Sequence, residues 1–124
     1  MAKILVIDDV EAIRHAMSIV LEKEGHEVVH AEDGLEGIRR LRETSVDLLI
    51  TDVLMPGADG IEVIKEVRKT APGLKVIAMS GGGNRLPAGF SLKMAQAFGA
   101  KAVLYKPFEN AELVEMVRSV LAES

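Results

Sequence analysis

Short apolar runs alternate regularly with longer segments of helical periodicity along this sequence. Lys3–Ile7 is an almost continuous apolar run of strand length, and Val10–Glu24 has apolar residues at the spacing of an amphipathic helix. The same pair of patterns recurs to the end of the chain. The predicted strands are Lys3–Ile7, Glu27–Ala31, Asp47–Thr51, Lys75–Met79 and Ala102–Tyr105, and the predicted helices are Val10–Glu24, Gly34–Glu43, Gly60–Lys69, Phe90–Phe98 and Asn110–Leu121.

This rhythm predicts an α/β fold with a parallel sheet, because strands joined by helical crossovers run in the same direction. The apolar strands favour a sheet that is covered by helices on both faces. In the second helix, Leu35, Ile38 and Leu41 are expected to face the sheet. A length of 124 residues fits one domain, so residues 1–124 are predicted to form a single unit.

Composition excludes several classes of protein. The chain has no cysteine, which rules out disulfides and thiolate zinc sites. A net charge of −4 argues against direct nucleic-acid binding, which needs a basic face. No apolar run approaches the roughly 20 residues that span a bilayer, and the first apolar run ends at Asp8, too early for a signal peptide. We therefore expect a cytoplasmic protein with no membrane contact.

Polar residues follow four of the predicted strands in a pattern. Asp8 and Asp9 come after the first strand, Asp52 after the third, Ser80 after the fourth and Lys106 after the fifth. Ligands of open parallel sheets bind beyond the carboxyl ends of the strands. One aspartate there is most simply a turn or cap residue, whereas five coincident groups predict a functional site.

The motifs that contain these residues resemble the receiver domain of bacterial response regulators. The matching segments are Val6-Ile7-Asp8-Asp9, Asp52-Val53-Leu54-Met55-Pro56-Gly57, Met79-Ser80 and Lys106-Pro107-Phe108. The resemblance covers essentially the whole chain. It implies a flavodoxin-like, doubly wound (βα)5 sandwich with a five-stranded parallel sheet of order 2-1-3-4-5, in agreement with the rules for such folds.

The resemblance also implies a phosphoryl-transfer site. Asp52 would be the phosphoacceptor, since carboxylates form acyl phosphates as nucleophiles. Lys106 would stabilise the phosphoryl oxygens electrostatically, and Ser80 would donate a hydroxyl hydrogen bond to them.

A metal ion belongs to the same expectation. In the implied order the first and third strands are neighbours, about 4.8 Å apart, so Asp9 and Asp52 can share one hard cation. Mg²⁺ suits such a site, because it prefers oxygen ligands and keeps several waters. By resemblance, Asp9, Asp52 and the backbone carbonyl of Leu54 would bind Mg²⁺, with Asp8 acting mainly through water.

Two further expectations concern the chain around Lys106. The resemblance implies a cis peptide between Lys106 and Pro107, which proline permits. Many receivers have an aromatic switch residue three positions before this lysine, where this chain has Val103; Tyr105 is not assigned that role. The segment from Ser80 to Lys106 is longer than usual in the family, and the extra length is assigned to the loop Gly81–Gly89.

The predicted function is that of a switch rather than an enzyme with an external substrate. The chain would accept a phosphoryl group from a histidine kinase or phosphotransfer protein and signal to a partner by conformational change. The recipient is a downstream protein if the chain is complete, or an output domain if the chain was cut from a longer one. One alternative is an aspartyl-nucleophile phosphatase, but that class has a second aspartate where this chain has Leu54. The other is an inert interaction module of receiver fold, against which the intact site argues.

Overall fold

The computed structural model of the chain describes residues 1–53, 60–81, 97 and 99–123. The strands are β1 (Lys3–Ile7), β2 (Glu27–Ala31), β3 (Leu48–Asp52), β4 (Lys75–Gly81) and β5 (Ala102–Lys106), and the helices are α1 (Glu11–Lys23), α2 (Gly34–Glu43), α3 (Gly60–Thr70) and α4 (Asn110–Ala122). Each predicted element in these ranges is present, with ends that differ by at most two residues. Apart from Gly81 and Ala97, the predicted loop Gly81–Gly89 and helix Phe90–Phe98 lie outside the described residues.

The five strands form one sheet of order β2-β1-β3-β4-β5. Every neighbouring pair is parallel, which confirms the doubly wound, flavodoxin-like fold. The order makes β1 and β3 neighbours and separates β3 from β5 by one strand. In the described ranges, no helix has the length and apolar character that crossing a membrane requires.

Alternate residues of the strands supply two separate cores, one on each face of the sheet. On β1, Ile4 and Val6 pack toward α1 and α4, whereas Leu5 and Ile7 pack toward α2 and α3. All four side chains are fully buried, as expected for a strand covered on both faces. The central strands are therefore fixed in register, because a shift by one residue would exchange the two cores.

Helix α2 contacts the sheet through glycine, and the prediction that Leu35 faces inward is wrong. Leu35 is 66% exposed, while Ile38 and Leu41 are partly buried as predicted. The buried positions of α2 are Gly34 and Gly37. A Cβ atom at Gly37 would lie 2.2 Å from Cδ1 and 3.0 Å from Cγ1 of Ile7. The missing side chain lets the helix approach β1 closely, which turns Leu35 toward the solvent.

We predict that Gly37→Ala destabilises the protein although alanine favours helix formation. The added methyl group collides with the buried Ile7 side chain, and overpacking of this kind costs about 1–3 kcal/mol. Urea denaturation measures the change in the free energy of unfolding. Gly73→Ala is the matched control, because a Cβ there meets nothing within 4 Å, and it should be neutral within about 0.5 kcal/mol. Equal stability of the two variants would contradict the close approach.

Candidate functional site

Strand alternation brings two aspartates and a lysine to one face at the carboxyl edge of the sheet. Val6, Ile50 and Leu104 belong to the core on the α1 and α4 side. Two residues further along the same strands come Asp8, Asp52 and Lys106, which therefore continue on that face. The core residues thus determine the direction of the charged side chains that follow them.

Lys106 bridges the two buried aspartates. Its Nζ atom donates to Oδ2 of Asp8 at 2.6 Å and to Oδ2 of Asp52 at 2.7 Å. Asp8 is fully buried and Asp52 is 6% exposed, so neither carboxylate has much water to solvate it. Short charge-assisted hydrogen bonds of this kind are stronger than neutral ones. The ammonium compensates negative charge on both buried carboxylates.

The environment keeps the Lys106 ammonium charged. Burial lowers the pKa of Lys106, but the hydrogen bonds and charges of Asp52 and Asp8 act the other way and leave the pKa raised above its ordinary value of 10.5. Lys106 is therefore a fixed positive charge at physiological pH. It is followed by a cis peptide bond to Pro107, as the resemblance implied.

Asp8 has a partner at each of its polar atoms. Its amide donates to the carbonyl oxygen of Ala31 at 3.2 Å, and its Oδ1 accepts from the amide of Val10 at 2.8 Å. Lys106 binds Oδ2, and the guanidinium of Arg14 donates to the main-chain carbonyl of Asp8. Sequence reasoning missed Arg14, because a basic residue on an amphipathic helix gives no sign that it reaches the preceding loop. These contacts hold the Asp8 carboxylate in one position.

Asp9 lies on the solvent-exposed side of the site. It is exposed, in contrast to its neighbour Asp8. One carboxylate oxygen from each of Asp8, Asp9 and Asp52 lies within 4.8 Å of the other two. This all-oxygen donor set fits a hard divalent cation such as Mg²⁺, and the open side leaves room for the waters that Mg²⁺ retains. Leu54, whose carbonyl was assigned to the same ion, lies outside the described residues.

Ser80 lies on the face of the sheet opposite to Asp52 and Lys106. It is buried near the end of β4, in register with Tyr105. It shares its face with Ala78, whereas Met79, the register partner of Asp52, faces the α1 and α4 side.

Val103 lies on the same face as Ser80 and packs with Val53 and Ala78. The structure thus has a small aliphatic residue at the position where many receivers have an aromatic one.

We predict that Lys106→Met makes the protein less stable by roughly 2–4 kcal/mol at neutral pH, because two buried carboxylates lose their cation. The folded-state pKa of Lys106 is raised, so its contribution is complete below about pH 10.5 and is lost as the pH rises through the folded-state pKa. The stability difference between wild type and variant should therefore shrink above that pH. Urea denaturation at a series of pH values measures it.

The control for this measurement is Lys69→Met, which removes the same charge from an exposed position on α3. It should change the free energy of unfolding by no more than about 0.5 kcal/mol. The bridge would be contradicted if Lys106→Met left the free energy of unfolding unchanged at pH 7. It would also be contradicted if the stability difference stayed undiminished well above the pKa of the lysine.

Comparison with known families gives a match along nearly the whole chain. The sequence profile of the response regulator receiver domain matches residues 4–118. The transcriptional regulatory protein CpxR homolog of Haemophilus influenzae is 35% identical over 124 residues, which are 100% of this chain and 52% of that protein. AfsQ1 of Streptomyces coelicolor, also a transcriptional regulatory protein, is 34% identical over 121 residues, or 98% of this chain and 52% of the regulator. The chain spans about half the length of these two relatives.

Solved structures agree with the sequence match. The receiver domain of NtrX from Brucella abortus superposes with a TM-score of 0.89 at 30% identity, covering 98% of this chain and 99% of that one. The chemotaxis protein CheY4 of Vibrio cholerae gives a TM-score of 0.87 at 30% identity, covering 97% of this chain and 98% of that one. Both similarities extend over the whole of the fold described above.

Proposed function

Since this chain belongs to the response regulator receiver domain family of two-component signalling, we propose that it is a phosphoacceptor switch with Asp52 as the acceptor. The observation that supports this most directly is the position of the Asp52 carboxylate. It is buried at the carboxyl end of β3, with the Lys106 ammonium on one oxygen and Asp9 within reach of a shared cation. We extend the proposal to residues 1–124 as one receiver domain.

In the proposed reaction, an oxygen of Asp52 attacks the phosphorus of a phosphohistidine. A new P–O bond forms while the P–N bond breaks, and the imidazole of the donor leaves with the electron pair of that bond. The transition state is loose and spreads negative charge over the phosphoryl oxygens, so positioning and electrostatics carry the catalysis. Lys106 is already at hydrogen-bond distance from Asp52 Oδ2 and can neutralise part of that charge.

We assign the metal to the acidic cluster. Asp9, Asp52 and the carbonyl oxygen of Leu54 would hold Mg²⁺, with Asp8 acting through a bound water. The ion, when bound, neutralises charge on the phosphoryl oxygens. The assignment of Asp8 is supported by its contacts, because both carboxylate oxygens already accept hydrogen bonds, from Val10 and Lys106. Ser80 would donate its hydroxyl hydrogen to the phosphoryl group from the other face of the sheet.

A receiver domain has a histidine kinase as its partner, and we propose that a kinase or a histidine phosphotransfer protein phosphorylates this chain. The chain would catalyse only its own phosphorylation and dephosphorylation. The signal would pass to a downstream protein or to an output domain, with no direct nucleic-acid contact by this domain. Family membership also supports a cytoplasmic location.

We predict that acetyl phosphate labels wild-type protein on Asp52 in the presence of Mg²⁺ and that Asp52→Asn abolishes the labelling. The variant replaces the nucleophilic carboxylate by a carboxamide, which does not form an acyl phosphate. Intact-mass spectrometry counts phosphoryl groups, with and without a chelator. Asp47→Asn is the matched control at the opposite end of the sheet, where Asp47 accepts from the amide of Lys3. Full labelling of Asp52→Asn, or loss of labelling in Asp47→Asn, would refute the assignment.

A second prediction of the proposed function concerns the metal. Asp9→Asn removes a charged ligand and should weaken Mg²⁺ binding at least about tenfold. Isothermal titration calorimetry measures the affinity. Glu32→Gln removes one charge from an exposed residue that follows β2 at the same sheet edge, so it separates ligand loss from a general change in charge. If both variants bind Mg²⁺ like wild type, the cation is not held by Asp9.

A further inference from the structure

Thr51 is a polar residue in an otherwise aliphatic layer. It is fully buried, and it forms the last register pair between β1 and β3, with Ile7. In β4 its register partner is Ala78. It therefore points to the face of the sheet opposite to its neighbour Asp52. A valine has the same branched shape and suits a strand equally well, so packing alone does not call for a hydroxyl group here.

The hydroxyl of Thr51 binds the main chain of Asp52, the proposed phosphoacceptor. Its Oγ1 atom donates to the carbonyl oxygen of Asp52 at 3.0 Å. Asp52 lies one residue beyond the paired part of β1 and β3, while the amide of Val53 still donates to Met79 on the β4 side at 3.1 Å. The peptide between Asp52 and Val53 is thus held at both of its polar atoms. Its amide binds β4, and its carbonyl oxygen accepts from the Thr51 hydroxyl.

We propose that Thr51 is a positioning residue for the phosphoryl-transfer reaction, acting through the main chain of Asp52. The inference rests on the proposed function of Asp52. The orientation of the peptide after Asp52 determines where its side chain starts and, with it, the distances from its carboxylate to Lys106 and Asp9. A displacement of less than an ångström at a reacting group slows a reaction without changing the fold, because the attack geometry is lost.

The test compares the phosphorylation rate of two pairs of proteins that differ by one hydroxyl group. The first pair is wild type and Thr51→Val, which keeps the shape of threonine and lacks the hydroxyl. The second pair is Thr51→Ser, which keeps the hydroxyl and loses the methyl group, and Thr51→Ala, which lacks both. Rates are measured with acetyl phosphate at saturating Mg²⁺ over a range of donor concentrations, at a temperature at which circular dichroism shows each variant folded.

We expect the maximal rate of Thr51→Val to fall roughly tenfold to hundredfold with little change in the donor concentration at half-maximal rate, since the reacting oxygen and not the donor is misplaced. Thr51→Ser should stay within a few-fold of wild type, and Thr51→Ala should be slow. If Thr51→Val is too unstable to assay, the serine and alanine pair gives the same comparison.

Two results would overturn the inference: a Thr51→Val rate equal to that of wild type, or a Thr51→Ser rate as low as that of its alanine counterpart. In either case Asp52 remains the acceptor if wild type is labelled and Asp52→Asn is not. If wild type itself takes no phosphoryl group, the proposed function fails, and the role of Thr51 fails with it.

Discussion

The ammonium of Lys106 lies between the carboxylates of Asp8 and Asp52, and the rest of the site depends on this bridge. Two carboxylates cannot be buried side by side without a compensating cation. The residues that meet there are 98 and 54 positions from Lys106 along the sequence. The sheet must therefore hold β1, β3 and β5 in a fixed register before the three charges can meet. Fold and site are linked through this requirement.

The two aspartates after β1 show how burial separates residues that look alike in sequence. Asp8 is fully buried and engaged by its own loop, by Arg14 and by Lys106. Asp9 is exposed, so it is the member of the acidic cluster that the solvent reaches. One residue thus stabilises the arrangement, while the next is available to a metal ion. This division of roles follows from where the strand ends and the loop to α1 begins.

Much of this arrangement could be predicted from sequence, because period-2 and period-3.6 patterns report directly on what is buried. The strand order was implied by the family resemblance alone, whereas the positions of Asp8, Asp52 and Lys106 after their strands predicted that they meet at one edge of the sheet. Leu35 was misplaced because a hydrophobicity pattern gives no weight to glycine, whereas α2 approaches Ile7 through Gly37. Arg14 and Thr51 were missed since their hydrogen bonds to main-chain carbonyls depend on tertiary geometry that no spacing rule encodes.

A crystal structure of the protein with beryllofluoride and Mg²⁺ would show whether Asp52 is the phosphoacceptor, because beryllofluoride mimics a phosphoryl group on a carboxylate. If Asp52 is the phosphoacceptor, we expect beryllium bonded to an Asp52 oxygen, the metal ion between Asp9 and Asp52, and Lys106 Nζ within hydrogen-bond distance of a fluorine atom. A complex in which beryllium is bonded elsewhere, or in which Lys106 still bridges Asp8 and an unmodified Asp52 at saturating ligand, would contradict this assignment.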